Sequence, residues 1–342
     1  MELFELEPLL LVNSYLMSLF GFLSNLVCLY FIITVKTEEM RNFRCLLLIY
    51  TFCDVIYTIL HSIVHPSFAL TNNVYVFFSY RDWNSVVHGR IMLTIFGYVF
   101  IQSISIQMIL FVYRFWTISY YVFPKFYQIP FKKLWITLII VIVPLIYISF
   151  PIYSLWGNPG VSKIELDEVQ ARIVTQKQHF AQFSAKVDGS GADYHTVIAA
   201  FFVSCLLILI ESCVIVVCTI ILARLTTASY MSLRTRRIHR QLLIYLVTQT
   251  SVTLACTAIQ VGLFVISAAL NVSLSLFGTL STGLLAWFPV LDAVILLTCV
   301  STYRLVALRK ILGKKNSGPK KMRSFSISLQ NTENAICDAN MT

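Results

Sequence analysis

The sequence predicts an all-α membrane protein, a bundle of seven transmembrane helices with its N-terminus outside the cell and its C-terminus in the cytoplasm. Three observations carry that expectation. Only 12% of the 342 residues are charged and 58% are hydrophobic, at a mean hydropathy of +0.77, whereas a soluble domain holds about 25% charged residues. The apolar residues gather into runs of the roughly 20 residues that a helix needs to cross about 30 Å of hydrocarbon. Lys and Arg are divided unevenly between the two alternating sets of connections, as the positive-inside rule requires.

Residues 9–35 run for 27 positions without a charge and make the first crossing. The tip before them holds Glu2, Glu5 and Glu7 and no Lys or Arg, which suits a translocated, uncleaved end better than a signal peptide with its basic start. The second crossing covers 45–70, interrupted by Asp54, His61 and His65. The third, 91–113, lies between Arg90 and Arg114, and the fourth, 134–156, carries Pro144 and Pro151, which neighbouring helices accommodate. The fifth, 196–223, has Glu211 near its middle. Residues 241–291 give 51 uncharged positions, about twice one crossing, and Asn271-Val272-Ser273 divides this stretch into a sixth helix, 241–268, and a seventh, 275–303. Residues 1–303 thus form one bundle domain and 304–342 a cytoplasmic tail.

Orientation follows from Lys and Arg alone. Residues 36–44, 114–133, 224–240 and 304–342 hold 20 of them; the N-terminal tip, 71–90, 157–195 and the break near Asn271 hold 6. The first set therefore faces the cytoplasm. The segments 157–195 and 304–342 have 39 residues each, near the lower limit of about 40 for folding alone, so no soluble catalytic domain is expected. The nine cysteines read as small hydrophobes: eight lie in or beside apolar runs and none in a segment placed outside, which leaves no extracellular disulfide framework. His-Glu-x-x-His, Gly-Lys-Ser/Thr and Gly-x-Ser-x-Gly are all missing, and Gly189-Ser190-Gly191 is a turn rather than a phosphate loop. Neither catalysis, a cofactor, a metal nor a nucleic-acid partner is expected.

Each ionisable side chain inside a membrane costs about 2.5–3.5 kcal/mol to insert and needs a reason. Tyr50, Asp54, His61 and His65, spaced 4, 7 and 4, share one helical stripe, as do Ser103, Gln107 and Arg114, spaced 4 and 7, with Arg114 closing the third helix. Ser204, Glu211 and Cys218 are spaced 7 and 7 on the fifth, and Asp292 follows Pro289 in the seventh. Asp54 and Asp292, toward the cytoplasmic side, read as packing and switch residues. His61 and His65 have the i, i+4 spacing of a metal pair, but no third ligand is apparent, which favours structural or ligand-facing imidazoles. Glu211 is protonated, hydrogen-bonded to polar neighbours, or a functional charge. At the inner face, Arg224, Arg234, Arg236, Arg237 and Arg240 crowd the segment before the sixth helix. After the seventh, Tyr303, Val306, Ile311 and Leu312 alternate with Arg304, Arg309, Lys310, Lys314 and Lys315. That pattern suits a basic amphipathic helix on the anionic inner leaflet, with membrane lipids as partners.

With these residues in hand, the chain resembles a nematode seven-transmembrane chemoreceptor of the Str group, related to the Srd and Srj types. The landmarks are Ser24-Asn25, residues 40–44 followed by Leu46-Leu47-Leu48-Ile49-Tyr50, then Pro66, and Phe111-Val112-Tyr113-Arg114-Phe115. Gln241-Leu242, Gln249-Thr250, Phe288-Pro289-Val290-Leu291-Asp292 and Gly313-Lys314-Lys315-Asn316 complete them. The chain departs from the family at Ala293 and Thr253, where the family places Pro. It lacks the Asp-Arg-Tyr triplet of rhodopsin-like receptors, for which Tyr113-Arg114 stands in, and their Asn-Pro-x-x-Tyr motif, for which residues 289–292 stand in.

The resemblance implies a G-protein-coupled chemosensory receptor of odorant type in the plasma membrane, acting in the cilium of a sensory neuron. Its ligand, a small chemical cue, would meet His61, His65, Tyr98, Gln102, Ser103, Ser204, Gln260 and Phe264, all in the outer half of their helix or near mid-membrane. Asp54, Tyr113, Arg114, Arg236, Arg237, Arg240 and Asp292 would switch and couple to a heterotrimeric G protein. A ligand-gated channel or a small-molecule transporter is the runner-up class. Insect-type odorant channels have the opposite orientation, a transporter shows internal repeats with broken helices, and a retinal pump needs a lysine that residues 275–303 lack.

Overall fold

The computed structural model describes residues 3–35, 41–71, 74–122, 180–186, 194–227, 233–270 and 275–311. Among them lie eight helices: α1 (Leu3–Thr34), α2 (Arg41–Val64), α3 (Val86–Val122), α4 (Tyr194–Thr227), α5 (Leu233–Leu270), α6 (Ser275–Leu285), α7 (Phe288–Cys299) and α8 (Ser301–Ile311). Six spans are long and apolar enough to cross a membrane: Pro8–Thr34, Phe43–Val64, Val87–Ile118, Leu209–Thr226, Arg236–Ile259 and Leu280–Cys299. The fourth crossing expected at 134–156 falls outside the described residues, as does the tail beyond Ile311.

Each spanning helix exists because its chain is apolar enough to leave water and must then satisfy every backbone group internally. The faces differ. On α1, Ser14, Ser18, Asn25 and Cys28 are buried while Leu16, Leu19, Phe20, Leu23 and Val27 are exposed. The buried stripe repeats at intervals of 4, 7 and 3 and contains Gly21, so small and polar residues face the bundle. A Cβ on Gly21 would meet Pro289 Cβ and Thr58 Oγ1 at 3.3 Å each. That glycine is what lets α1 approach α2 and α7.

The fold is not all helix. The second crossing, expected to run to residue 70, stops at Val64. His65 adopts φ 44° and ends α2 with its N–H on the His61 carbonyl at 3.0 Å, the left-handed helix stop usually given to glycine. β1 (Pro66–Thr71) and β2 (Val74–Asp82) then form an antiparallel hairpin in the register Pro66↔Ser79 to Thr71↔Val74. β3 (Phe180–Lys186) pairs antiparallel with β2, giving the order β1-β2-β3. Pro66 opens its strand, where its missing N–H costs nothing in the ladder. Ser79 locks the hairpin to α2: its hydroxyl donates to the Val64 carbonyl and accepts from Trp83 Nε1 at 3.0 Å.

Two further elements differ from expectation. α3 does not end at 113 but continues to Val122, which puts Arg114 inside the helix. The seventh crossing is broken: α6 and α7 meet at Ala286-Trp287, and α8 starts after an extended Val300. Pro289 explains the break. It has no N–H for the Leu285 carbonyl one turn back, and the Tyr57 hydroxyl donates to that carbonyl instead, at 3.3 Å. The core has two parts, an aromatic cluster around Tyr57, Phe96 and Phe288 toward the strand hairpin, the outer end in the orientation expected from sequence, and a larger one around Tyr50, Phe111 and Tyr245 toward the opposite, inner end.

Candidate functional site

Buried polar side chains form three stations along the bundle. At the outer end, α1 brings Ser14 to the last turn of α2. Its Oγ lies 3.1 Å from Nδ1 of both His61 and His65. The His65 ring meets Tyr15 edge-on at 4.5 Å, and the His61 ring packs on Phe96 at 5.8 Å. Beside these rings lies a small cavity reached also by Leu10, Ser67, Tyr80 and Gly283.

The middle station ties four helices together. Gln107 of α3 donates through Nε2 to the Tyr50 hydroxyl of α2 at 2.9 Å and to Thr253 Oγ1 of α5 at 2.8 Å. Tyr50 in turn donates to Asp292 Oδ2 of α7. Asn25 of α1 donates to the Pro289 carbonyl at 3.0 Å, which joins the first helix to the same point. Asp54 is 1% exposed and stands beside Asp292. Its Oδ1 and the Oε1 of Gln107 meet no hydrogen-bond partner among the described residues. Such valences are uncommon in finished interiors, and each costs about 1–3 kcal/mol. A network left partly unsatisfied can exchange partners when the helices shift.

At the inner station Arg114 is 3% exposed. Its guanidinium sits 3.8 Å from the Phe43 ring centroid, and Nη1 lies 3.3 Å from His239 Nδ1. Nε and Nη2 have no hydrogen-bond partner among the described residues. The expected helix-end charge is therefore a buried one: α3 runs past it, and Phe43 covers it. Tyr113 also stacks with Phe43, at 6.4 Å between ring centroids. Arg236, Arg237 and Arg240 belong to the first turns of α5 rather than to a preceding loop, with Arg237 and Arg240 exposed.

The expected ligand residues separate. His61 and His65 share the outer cavity, and Tyr98, Gln102 and Ser103 of α3 do not line it. Gln102 is buried with Oε1 unpartnered among the described residues, while the Ser103 hydroxyl donates back to the Val99 carbonyl at 3.2 Å. Ser204 lies on α4, and Gln260 and Phe264 on α5; their side chains are outside the described residues. Glu211 accepts from Ser105 at 3.2 Å. No group of three His, Cys, Asp or Glu suited to a metal occurs among the described residues.

Ser14, Thr253 and His239 were missed in sequence. Their signal was present: Ser14 sits on the small-residue stripe of α1, and His239, Leu242, Leu246, Gln249 and Thr253 make one buried stripe of α5.

Comparison with known families matches residues 12–308 to the serpentine-type seven-transmembrane GPCR chemoreceptor family Str. No curated protein matches the chain.

Proposed function

This chain belongs to the Str family of serpentine seven-transmembrane GPCR chemoreceptors, and we propose that it binds a small chemical cue in its outer half and signals through a heterotrimeric G protein at its cytoplasmic face. Multiple apolar helices and the family make it a multi-pass membrane protein of a receptor family, not an enzyme family. In the proposed arrangement the N-terminus is extracellular, the tail cytoplasmic, and the protein serves in the ciliated ending of a nematode sensory neuron.

The observation that carries this reading is the incompletely satisfied polar column: Asp54, Gln107 and Arg114 are buried with open valences at the meeting of α2, α3, α5 and α7. A ligand acts by favouring one of two helix arrangements for which it has different affinity. The inner lock suits that role. Cation–π stacking is worth about 0.5–2 kcal/mol and a hydrogen bond about 1 kcal/mol, so releasing Arg114 from Phe43 and His239 costs a few kcal/mol. Converting a 1:99 equilibrium to 99:1 takes about 5.5 kcal/mol of differential binding. A lock of this strength lies within reach of a ligand.

The ligand residues of this proposal are His61 and His65 at the outer cavity and Tyr98, Gln102, Ser103, Ser204, Gln260 and Phe264 on the neighbouring helices. The test is expression in reporter cells with a panel of volatile and water-soluble cues. At least one cue should raise a dose-dependent G-protein signal in cells bearing the protein and none in cells without it. An epitope tag ahead of Met1 should stain intact cells; staining only after permeabilisation would contradict the orientation.

A further inference from the structure

We propose that the cavity where α1, α2, β1 and α6 meet is a binding site for a small neutral hydroxyl compound, a short-chain alcohol, held by the imidazole of His61 and the hydroxyl of Ser67. It deepens the chemoreceptor reading by naming a ligand class, and rests on that reading for its biological purpose alone. Leu10, Leu11 and Pro66 supply apolar wall. Two polar atoms at the cavity residues, His61 Nε2 and Ser67 Oγ, are buried and meet no hydrogen-bond partner among the described residues. Buried polar atoms are rarely left bare, and two at one cavity indicate an occupant.

Ser14 determines what that occupant must offer. Its hydroxyl lies 3.1 Å from Nδ1 of both imidazoles, and it has one proton. It therefore donates to at most one Nδ1 and accepts from an N–H at the other, or accepts from an N–H at both. His61 therefore presents either a proton or a lone pair at Nε2. A ligand hydroxyl serves in both cases. It accepts from Nε2–H and donates to Ser67, or donates to bare Nε2 and accepts from Ser67, whose own hydroxyl turns to match. A carbonyl oxygen fits only one tautomer. No Lys, Arg, Asp or Glu lines the cavity, so a carboxylate or ammonium group would be buried without a counter-charge.

Size narrows the class further. The cavity offers about 20 Å³ to the centres of water molecules, room for one. One oxygen sits inside, and a body of two or three carbons must lie along the apolar wall toward the open side. Gly283 sets the width: a Cβ there would meet Leu10 Cδ2 at 3.2 Å. A single water would satisfy the same two polar atoms and is the rival occupant.

The experiment uses the full chain in lipid nanodiscs with ¹⁵N-labelled histidine, titrated with 1-propanol and with 1-chloropropane, which has the same number of heavy atoms and no O–H. Four heavy atoms bind no tighter than about 0.04 mM, so the titrations extend into the millimolar range. 1-Propanol should saturate a shift of one imidazole resonance, assigned by its loss in His61→Gln, at least tenfold more tightly than 1-chloropropane. Ser67→Ala and Gly283→Ala should each weaken that binding about tenfold or more. An equal response to the chloride, a linear response without saturation (water the only occupant), or unchanged affinity in a folded Ser67→Ala protein would overturn the site. No G protein is involved, so failure here leaves the receptor reading standing. Retained propanol binding in a protein that never activates a G protein would remove that reading and leave this site.

Discussion

The outer and inner halves of this bundle bury polar groups in opposite ways. Outside, no Lys, Arg, Asp or Glu lines the cavity, and the polar groups are tied around it: Ser14 bridges two imidazoles, Asn13 donates to the Gly283 carbonyl at 3.2 Å, and Trp287 Nε1 donates to Asn13 at 3.3 Å, with His61 Nε2 and Ser67 Oγ left open for an occupant. A strand hairpin closes over them. Inside, the groups carry or share charge and are half paired: Arg114 rests on an aromatic face, and Asp54 has an open carboxylate oxygen. The outer half is built to keep its shape around a small guest. The inner half is built with little to hold it in one state. A receptor needs both, since a ligand that must select a conformation requires a defined site and a lightly held switch.

The largest effect to test that contrast belongs to Arg114→Met. Methionine keeps an apolar stem of similar length, places its thioether toward the Phe43 ring, and removes a buried charge without a carboxylate among its described contacts. Replacing buried charges by fitting apolar residues is neutral or stabilising by about 1–4 kcal/mol. The variant should unfold at an equal or higher temperature in nanodiscs while losing its cue-driven signal at matched surface density. A destabilised variant that still signals would reverse the roles assigned to the inner half. Next comes Tyr50→Phe, which strips the shared hydroxyl from Asp292 and Gln107 and should cost about 1–3 kcal/mol in chemical or thermal unfolding. An unchanged midpoint would mean that the middle station is not a structural tie.

Glycine gives a sharper pair. Gly21→Ala forces Pro289 and Thr58 apart from α1 and should destabilise by about 1–3 kcal/mol through overpacking. Gly97→Ala meets nothing within 4 Å and should stabilise by up to about 1 kcal/mol through helix propensity. Equal effects would show that α1 is not closely docked. The smallest change is Ser14→Ala. It removes one hydroxyl from between two imidazoles that retain other packing, and should cost about 1 kcal/mol. A loss larger than that of Tyr50→Phe would make the outer half the tighter network and undo the comparison.

Much of this architecture was legible in the sequence, because hydrophobic length acts strongly on a chain that must cross lipid. Helix ends were less so. Arg114 read as a boundary because a charge normally stops a crossing; nothing in the linear pattern reveals that Phe43, 71 residues earlier, supplies the aromatic face that lets α3 continue. Residues 66–70 read as helix because a short apolar run has no period that separates strand from helix, and the deciding event is His65 turning into the left-handed region. The break at Ala286-Trp287 was signalled by Pro289 alone. At the site, the stripes holding Asp54, His61 and Gln107 were visible, but pairings between helices were not. Ser14 became a partner of the two histidines only through the packing of α1 that Gly21 permits.

Control of the inner lock by an outer cue is read by hydrogen exchange on the full chain in nanodiscs, using a cue that activates the G protein in cells. The cue should slow backbone exchange in residues 66–71 and, in the same sample, speed exchange at least twofold in residues 233–240, where His239 leaves Arg114. Protection at the outer strand with no change in residues 233–240, for a cue that does activate the G protein, would contradict it.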